Sequence, residues 1–119
     1  MEFKTYQHIN LDYLNLMTDG DADMKKTMLE ILFDELPKEI DLLSIHYASA
    51  AWEDLKSISH KLKSTLSFVG NERMTTANNQ IEYNAMYVEQ TDAIPGLIEE
   101  VKSLYPLAIA ELKGYYQEL

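Results

Sequence analysis

The spacing of apolar side chains constrains the fold of this chain more than any other feature. Over long stretches these side chains recur every three or four residues, which is the repeat of an amphipathic α-helix. The longest stripe consists of Met24, Met28, Ile31, Leu32, Leu36, Ile40 and Leu43. No Asn-Gly or Asp-Gly dipeptide separates two runs of alternating polarity, so β-hairpins have little support. The pattern therefore predicts an all-α chain.

The residues that interrupt the apolar stripes define the first three predicted helices. A short helix is predicted over residues 11–17, and after a turn Asp21 is a good N-cap for a long second helix. Pro37 lies inside that second helix and removes one backbone donor, so we expect a kink there. The third helix covers about residues 51–69 and ends at Gly70, a residue type typical of the position after a helix.

Two more helices complete the predicted architecture. The fourth starts after Asn71. Its apolar stripe is Met74, Ala77, Ile81, Ala85 and Val88. The fifth begins near residues 91–92, tolerates Pro95 in its first turn and has a second expected kink at Pro106. Four long amphipathic helices joined by short turns predict an antiparallel four-helix bundle with a short additional N-terminal helix, as a single domain over residues 1–119.

The charge of the chain excludes several classes of partner. It has 20 acidic and 10 basic side chains and a formal net charge of −10. Because nucleic-acid phosphates and anionic lipids are bound by clustered Lys and Arg, we expect no nucleic-acid partner and no docking on a membrane. The chain has no cysteine, so it forms no disulfide, thiolate metal site or cysteine nucleophile.

Targeting and membrane signals are also missing from the sequence. The N-terminus has no basic region followed by an apolar run, and no stretch approaches the roughly 18 to 20 apolar residues of a membrane span. We therefore expect a free-standing, cytoplasmic, soluble domain.

His60 faces away from the apolar stripe of the third helix. At about 100° per residue, a helical projection places it roughly opposite Leu55, Ile58, Leu62, Leu66 and Val69. Its neighbours on the projection are Glu53, Lys56, Lys63, Ser64 and Ser67. An isolated histidine in such a place is usually one more exposed polar residue, and that interpretation stays open. The small hydroxyls, however, leave the imidazole open to another macromolecule, and a lysine at i+3 favours a negatively charged phosphoryl group on it.

Residues 60–70, with the sequence HKLKSTLSFVG, resemble a known motif. The segment is similar to the H-x-L-K-G motif, with its small and apolar tail ending in Gly, of histidine-containing phosphotransfer (Hpt) domains. The similarity continues into the next helix, where Ile81 and Glu82 resemble the Leu-Glu pair of the family. One departure is Ser64, which stands where the family usually has glycine for close approach of the partner, and we expect function to survive it.

The resemblance implies a chemistry for His60 and Lys63. By that resemblance His60 is the phosphoacceptor, whose neutral imidazole attacks the aspartyl phosphate of a docked receiver domain and later passes the phosphoryl group on. Lys63 stabilises the phosphoryl charge. The docking surface implied around His60 comprises Lys56, Ser64, Ser67 and Phe68.

The resemblance also implies the partners and the absence of a resident cofactor. The partners that it implies are the receiver domains of a hybrid histidine kinase, of a response regulator, or of both. Mg²⁺ is expected on the receiver, so this chain has no cofactor of its own. No Gly-rich nucleotide loop is present, which fits a phosphocarrier without autonomous kinase activity. The resemblance also implies a monomer.

A second polar residue is needed to fix the orientation of the His60 ring. If the third and fourth helices form a hairpin about Gly70, His60 lies opposite residues 80–82. Gln80 and Glu82 are the polar candidates there, and Glu82 also matches the family pattern. Solvent exposure of Glu82 is an equally open interpretation.

Two other functions stay open at this stage. One is a helical scaffold or interaction domain derived from the same fold that no longer transfers phosphate. The other is a metalloenzyme bundle, which the absence of Glu-x-x-His spacing opposes. His8 and His46 lie on no comparable face, so surface roles are expected for both. Met24, Met28 and Met74 are interpreted as core residues whose stripe extends towards the docking surface.

Overall fold

The computed structural model describes residues 5–119, and within that range the chain forms α-helices and no β-strand. The helices are α1 (Asp12–Thr18), α2 (Ala22–Ala48), α3 (Trp52–Val69), α4 (Glu72–Tyr87) and α5 (Ile94–Gln117). A short 3₁₀ turn over Thr91–Ala93 leads into α5. The all-helical prediction is confirmed. No helix among residues 5–119 has the length and apolar character needed to cross a bilayer.

Local side-chain chemistry sets the helix ends. Asp21 Oδ1 accepts a hydrogen bond of 2.9 Å from the amide of Met24, and Asn71 Oδ1 accepts one of 3.0 Å from the amide of Met74. Each side chain thereby satisfies an amide that has no partner inside the helix, and the predicted N-cap at Asp21 is confirmed. The turn between α3 and α4 is therefore defined on its α4 side by a specific side chain.

Gly70 ends α3 in the left-handed conformation, with a φ of 71°. Few residues other than glycine adopt this conformation without strain. A Cβ atom at this position would also collide with the backbone oxygen of Asn10. The N-terminal segment therefore crosses directly over the α3–α4 turn, and glycine is needed there for two independent reasons.

The four long helices enclose one apolar core. In the structure α2 packs against α3 and α5, and α4 packs against the same two helices. The largest fully buried side chains are Leu14, Leu29, Leu36, Leu43, Leu55, Leu62, Leu66, Val69, Met74, Ile81, Ile94 and Leu112. These contacts are those of a helical bundle. Pro37 and Pro106 lie inside α2 and α5, and the kinks expected there stay predictions.

The structure corrects the predicted apolar stripes at three positions. Met24 and Ile31 are 51% and 53% exposed, whereas the sequence pattern predicts both on the buried stripe of α2. At 100° per residue they lie roughly 120–140° from Leu36, which is fully buried, so the stripe combined two faces of a long helix. Val88 is outside α4 and also exposed, because the helix ends at Tyr87.

The N-terminal segment fastens the end of the bundle. The amide of Asn10 donates to the carbonyl of Val69 at 3.1 Å, and Asn71 Nδ2 donates to the carbonyl of His8 at 2.9 Å. The carboxylate of Glu111 accepts from the amides of Gln7 and His8, at 3.0 and 2.6 Å. Residues 7–10 therefore connect α5 to the α3–α4 turn. His8 serves this contact through its backbone.

Candidate functional site

His60 lies in the middle of α3 and points out of the bundle. The five apolar residues predicted to lie opposite it are all buried in the core. Their burial fixes the rotation of α3 about its axis, so the imidazole is forced outwards. The His60 side chain is 72% exposed. A partner protein therefore has direct access to the ring.

The carboxylate of Glu82 on α4 contacts two groups of α3 at once. Glu82 Oε2 lies 2.6 Å from His60 Nδ1, and Glu82 Oε1 lies 3.0 Å from Lys63 Nζ. Only 12% of the Glu82 side chain is exposed, compared with 46% for Lys63. The nearly buried carboxylate thus joins the imidazole to the ammonium group of the residue three positions further along α3.

The charge state of Glu82 follows from these neighbours. Burial raises the pKa of its carboxyl group, but hydrogen bonds from Lys63 and His60 and the charge of Lys63 outweigh the burial and hold the pKa below its ordinary value. Glu82 is therefore ionised at neutral pH and acts purely as a hydrogen-bond acceptor.

This contact determines which nitrogen of His60 carries the hydrogen. Since an ionised carboxylate only accepts, Nδ1 must donate, and in the neutral ring Nε2 keeps its lone pair. Glu82 holds the ring at Nδ1, whereas Nε2 is on the opposite edge of a side chain that is largely exposed. The arrangement therefore presents an oriented, unprotonated nitrogen at the surface, which is what a nucleophilic imidazole requires.

The structure brings Glu82, but not Gln80, to His60. Gln80 Nε2 donates to Oδ1 of the buried Asn84 at 2.8 Å, so its amide is used within α4. Lys56 Nζ lies 2.9 Å from the carboxylate of Glu53 on the same helix. Of the polar residues considered in the sequence, only Lys63 and Glu82 form a connected group with the imidazole.

The remaining residues assigned to the docking surface lie further along α3. Ser64 is exposed, and Ser67 Oγ donates to the carbonyl of Lys63 at 3.0 Å. The Phe68 ring is half-buried and packs edge-on against Tyr13 of α1, with 5.0 Å between ring centroids. Ser64 and Phe68 also line an open depression of about 310 Å³ between α2 and α3, together with Met28 and Ile31.

Apolar side chains are also exposed on the two helices that pack against α3. On α2 they are Met24 and Ile31, and on α4 they are Tyr83, Met86 and Tyr87. Met74, the third methionine of the predicted stripe, is fully buried in the core. Met28 is only partly buried, at the edge of the depression.

The sequence interpretation missed one buried polar pair, Ser59 and Asn78. Both side chains are fully buried and hydrogen-bonded to each other, directly between α3 and α4. A signal was present, because a helical projection puts Ser59 about 60° from Leu62 and puts Asn78 on the stripe of Met74 and Ile81. Polar residues at two facing core positions are the feature that could have identified the pair.

A metal site does not compete with the His60 site in the part of the chain that the structure describes. Among residues 5–119, no group of three His, Asp or Glu side chains is placed to hold a metal ion. Glu39 of α2 is buried, but it accepts a hydrogen bond of 2.8 Å from Thr65 Oγ1 and lies 3.8 Å from Lys61 Nζ. Its contacts join α2 to α3 on the side away from the Glu82 contact.

Comparison with known proteins assigns the same region to a family. The Hpt domain family model matches residues 27–118, which run from the first turns of α2 to the end of α5. The match includes His60, Lys63 and Glu82. No curated protein and no solved structure matches the chain significantly.

Proposed function

The chain belongs to the Hpt domain family, whose members are phosphocarriers that interact with receiver domains in two-component phosphorelays, and on that premise we propose that His60 is its phosphoacceptor. Nε2 takes a phosphoryl group from an aspartate of one receiver domain and gives it to an aspartate of another. The donor is the receiver of a hybrid histidine kinase and the acceptor is a response regulator.

The proposed transfer step uses the free lone pair of Nε2. This nitrogen attacks the phosphorus atom of the aspartyl phosphate, the bond between phosphorus and the carboxylate oxygen breaks, and the aspartate leaves with the electron pair. The imidazole keeps its hydrogen on Nδ1 and becomes positively charged. Glu82 stabilises that charge, since its carboxylate lies 2.6 Å from Nδ1 in a nearly buried position. The reverse reaction loads the second receiver.

Lys63 is proposed to act on the phosphoryl oxygens. An ammonium group has three donor hydrogens, so Lys63 can retain its 3.0 Å contact with Glu82 and donate to a phosphoryl oxygen as well. Its side chain is 46% exposed, which leaves room for the phosphoryl group beside it. A phosphoryl group carries about −1.5 to −2 charges at neutral pH, so this contact favours the loaded state.

The partner supplies the rest of the chemistry in this proposal. Mg²⁺ and the carboxylates that hold it belong to the receiver domain, and this chain, which has no kinase activity of its own, acts as a monomer without a cofactor. Lys56, Ser64, Ser67 and Phe68 contribute to docking around His60. The four long helices alternate in direction, because links of a few residues return the chain alongside the helix that it has just left.

One observation carries the proposal most directly: an exposed imidazole whose Nδ1 is held by an ionised, nearly buried carboxylate. Incubation of the protein with a phosphorylated receiver domain tests it. We expect acid-labile, alkali-stable phosphate to appear on the wild-type protein and to be abolished by His60→Gln. Equal labelling of both proteins would mean that a residue other than His60 accepts the phosphoryl group and would contradict the proposal. Labelling of neither protein would favour a bundle that serves only as a scaffold.

The role of Glu82 has its own test. Glu82→Ala removes both the hydrogen bond to Nδ1 and the countercharge, so we expect the transfer rate measured by quenched-flow labelling to fall by about tenfold to a hundredfold. Gln80→Ala is the matched control, since its amide contacts Asn84 instead of His60. An unchanged rate in Glu82→Ala would remove Glu82 from the mechanism.

A further inference from the structure

Ser59 and Asn78 form a closed set of hydrogen bonds inside the α3–α4 interface. Ser59 Oγ lies 2.9 Å from the backbone carbonyl of Asn78 and 2.7 Å from its Oδ1, and one hydroxyl hydrogen serves these two acceptors. In return Asn78 Nδ2 donates to the carbonyl of Ser59 at 2.9 Å. Both residues have no exposed surface. Each side chain thus bonds the backbone of the opposite helix.

These bonds join the two helices next to the residues that meet at the surface. Ser59 directly precedes His60 on α3, and Asn78 lies one helical turn before Glu82 on α4. The hydrogen bonds between Ser59 and Asn78 therefore hold α3 and α4 together within one helical turn of both His60 and Glu82. The Glu82 carboxylate, which also holds Lys63, depends on the same contact.

The apolar contacts of this interface cannot fix the register of α4 against α3 in the same way. Its other buried residues include Ile58, Leu62, Ala77 and Ile81, whose packing is not directional. A shift of α4 by one residue moves its side chains by 1.5 Å along the axis and rotates them by about 100°. The 2.6 Å bond between His60 and Glu82 would not survive that shift, because a hydrogen bond is lost beyond about 3.5 Å.

We propose that Ser59 and Asn78 are positioning residues that fix the register of α3 against α4, so that Glu82 holds the His60 ring with Nε2 unprotonated. The effect on phosphoryl transfer rests on the function proposed above, whereas the effect on the ring does not. Burying two polar side chains costs desolvation energy that two apolar residues would avoid. In return, the polar side chains of Ser59 and Asn78 form directional hydrogen bonds, which apolar residues cannot form.

Nitrogen NMR of the imidazole tests the proposal without a partner. The chemical shifts of Nδ1 and Nε2 distinguish the two neutral tautomers, and His60→Gln identifies the His60 signals among the three histidines. Asn78→Ala removes the two bonds of the side-chain amide and leaves the bond from Ser59 Oγ to the backbone carbonyl of residue 78. Ser59→Ala removes both bonds of the hydroxyl and leaves the one from Asn78 Nδ2 to the backbone carbonyl of residue 59. We expect the tautomer with hydrogen on Nδ1 to dominate in the wild type and to lose population in both variants.

A matched control separates positioning from stability. Thr18→Val also removes a fully buried hydroxyl, which donates to the carbonyl of Leu14 at 2.7 Å in α1, far from His60 in the sequence. It should lower the melting temperature without changing the tautomer. If Asn78→Ala does not fold, Ser59→Ala and the isosteric Ser59→Cys provide the same comparison. Tautomer populations that match the wild type in the folded Ser59 and Asn78 variants would overturn the proposal.

Transfer rates provide a second readout through a double-mutant cycle. Asn78→Ala should slow transfer by about tenfold in the wild-type background but by less than about twofold when Glu82 is already alanine. Independent, multiplicative losses would mean that Asn78 does not act through Glu82 and would contradict the proposal. If no protein transfers phosphate while the tautomer shifts as expected, the proposed function fails and the positioning role stands.

Discussion

At the scale of single residues, Glu82 decides how the site works. Its two carboxylate oxygens are used separately, one by the imidazole of His60 and the other by the ammonium group of Lys63. Because the side chain is only 12% exposed, water screens these contacts weakly. A change at Glu82 therefore affects both the orientation of the nucleophile and the position of the nearest cation.

The two lysines that flank His60 should differ in their effect on transfer. Lys63→Ala removes the ammonium group one turn from His60, and we expect the transfer rate to fall by about tenfold or more. Lys56→Ala, whose ammonium group pairs with Glu53 on the surface of α3, should change it by less than about threefold. Rapid-quench transfer from one phosphorylated receiver measures both. Similar losses in the two variants would mean that the contribution is general surface charge.

The pH dependence of the free energy of unfolding should also show that Glu82 is ionised in the folded protein. Its pKa in the folded protein lies below the ordinary value of 4.5, so its contacts stabilise the fold fully above that value. This stability is lost as the pH falls through the lowered pKa. Denaturant unfolding of the wild type and Glu82→Gln between pH 5 and pH 3 measures it. The stability difference should shrink towards the acid end, and a constant difference would contradict the ionised, hydrogen-bonded Glu82.

Single-residue reasoning from the sequence succeeds for His60 but not for its partner. The apolar stripe of α3 alone predicts that His60 faces outwards, because five buried residues define the opposite side. Gln80 and Glu82 lie about 200° apart on α4, and which of them faces α3 depends on the rotation of α4 in the bundle. Tertiary packing sets that rotation, so the sequence leaves both candidates open.

At the scale of elements, the turn between α3 and α4 is the most constrained connection of the site. Gly70 adopts a positive φ and lies against the backbone of Asn10, while Asn71 caps α4 and also bonds the carbonyl of His8. The turn thus fixes the ends of both helices that carry the site. Its rigidity supports the contact between His60 and Glu82 two to three turns away.

Two glycines with the same backbone conformation allow a matched test of this turn. Gly20 has a φ of 73° with nothing within 4 Å of an added Cβ, whereas a Cβ on Gly70 collides with Asn10. Gly20→Ala should cost only the left-handed strain, about 1–2 kcal/mol. Gly70→Ala should cost clearly more, as measured by the free energy of unfolding in urea. Equal losses of unfolding free energy in the two variants would show that the segment carrying Asn10 moves away from the added Cβ without an energetic cost.

Sequence rules predict the helix ends better than the helix faces. Asp21 and Gly70 act locally, so their roles are visible from the residues alone. The faces of the 27-residue α2 are harder to predict, because apolar residues spaced by three and four fit more than one side of a long helix. The pattern therefore predicts Met24 and Ile31 in the core, although both are exposed. The buried pair in the α3–α4 interface requires both helices to be placed before its two members meet.

At the scale of the whole molecule, the acidic composition does not describe the surface around His60. The segment from Ala51 to Gly70 has three lysines against two carboxylates, whereas the whole chain has a net charge of −10. Each of the three lysines lies within 4.0 Å of a carboxylate, either on α3 itself or on α2 or α4. The site is therefore close to neutral, which suits a protein interface better than a purely electrostatic contact.

The most direct test is to locate the phosphoryl group on the loaded protein. After transfer from a phosphorylated receiver, combined phosphorus and nitrogen NMR identifies which imidazole nitrogen is bonded to phosphorus. Because Nδ1 of His60 is held by Glu82, we predict a phosphorus–nitrogen coupling to Nε2 of His60 and none to Nδ1. Phosphate on Nδ1, or on a residue other than His60, would contradict the site described here.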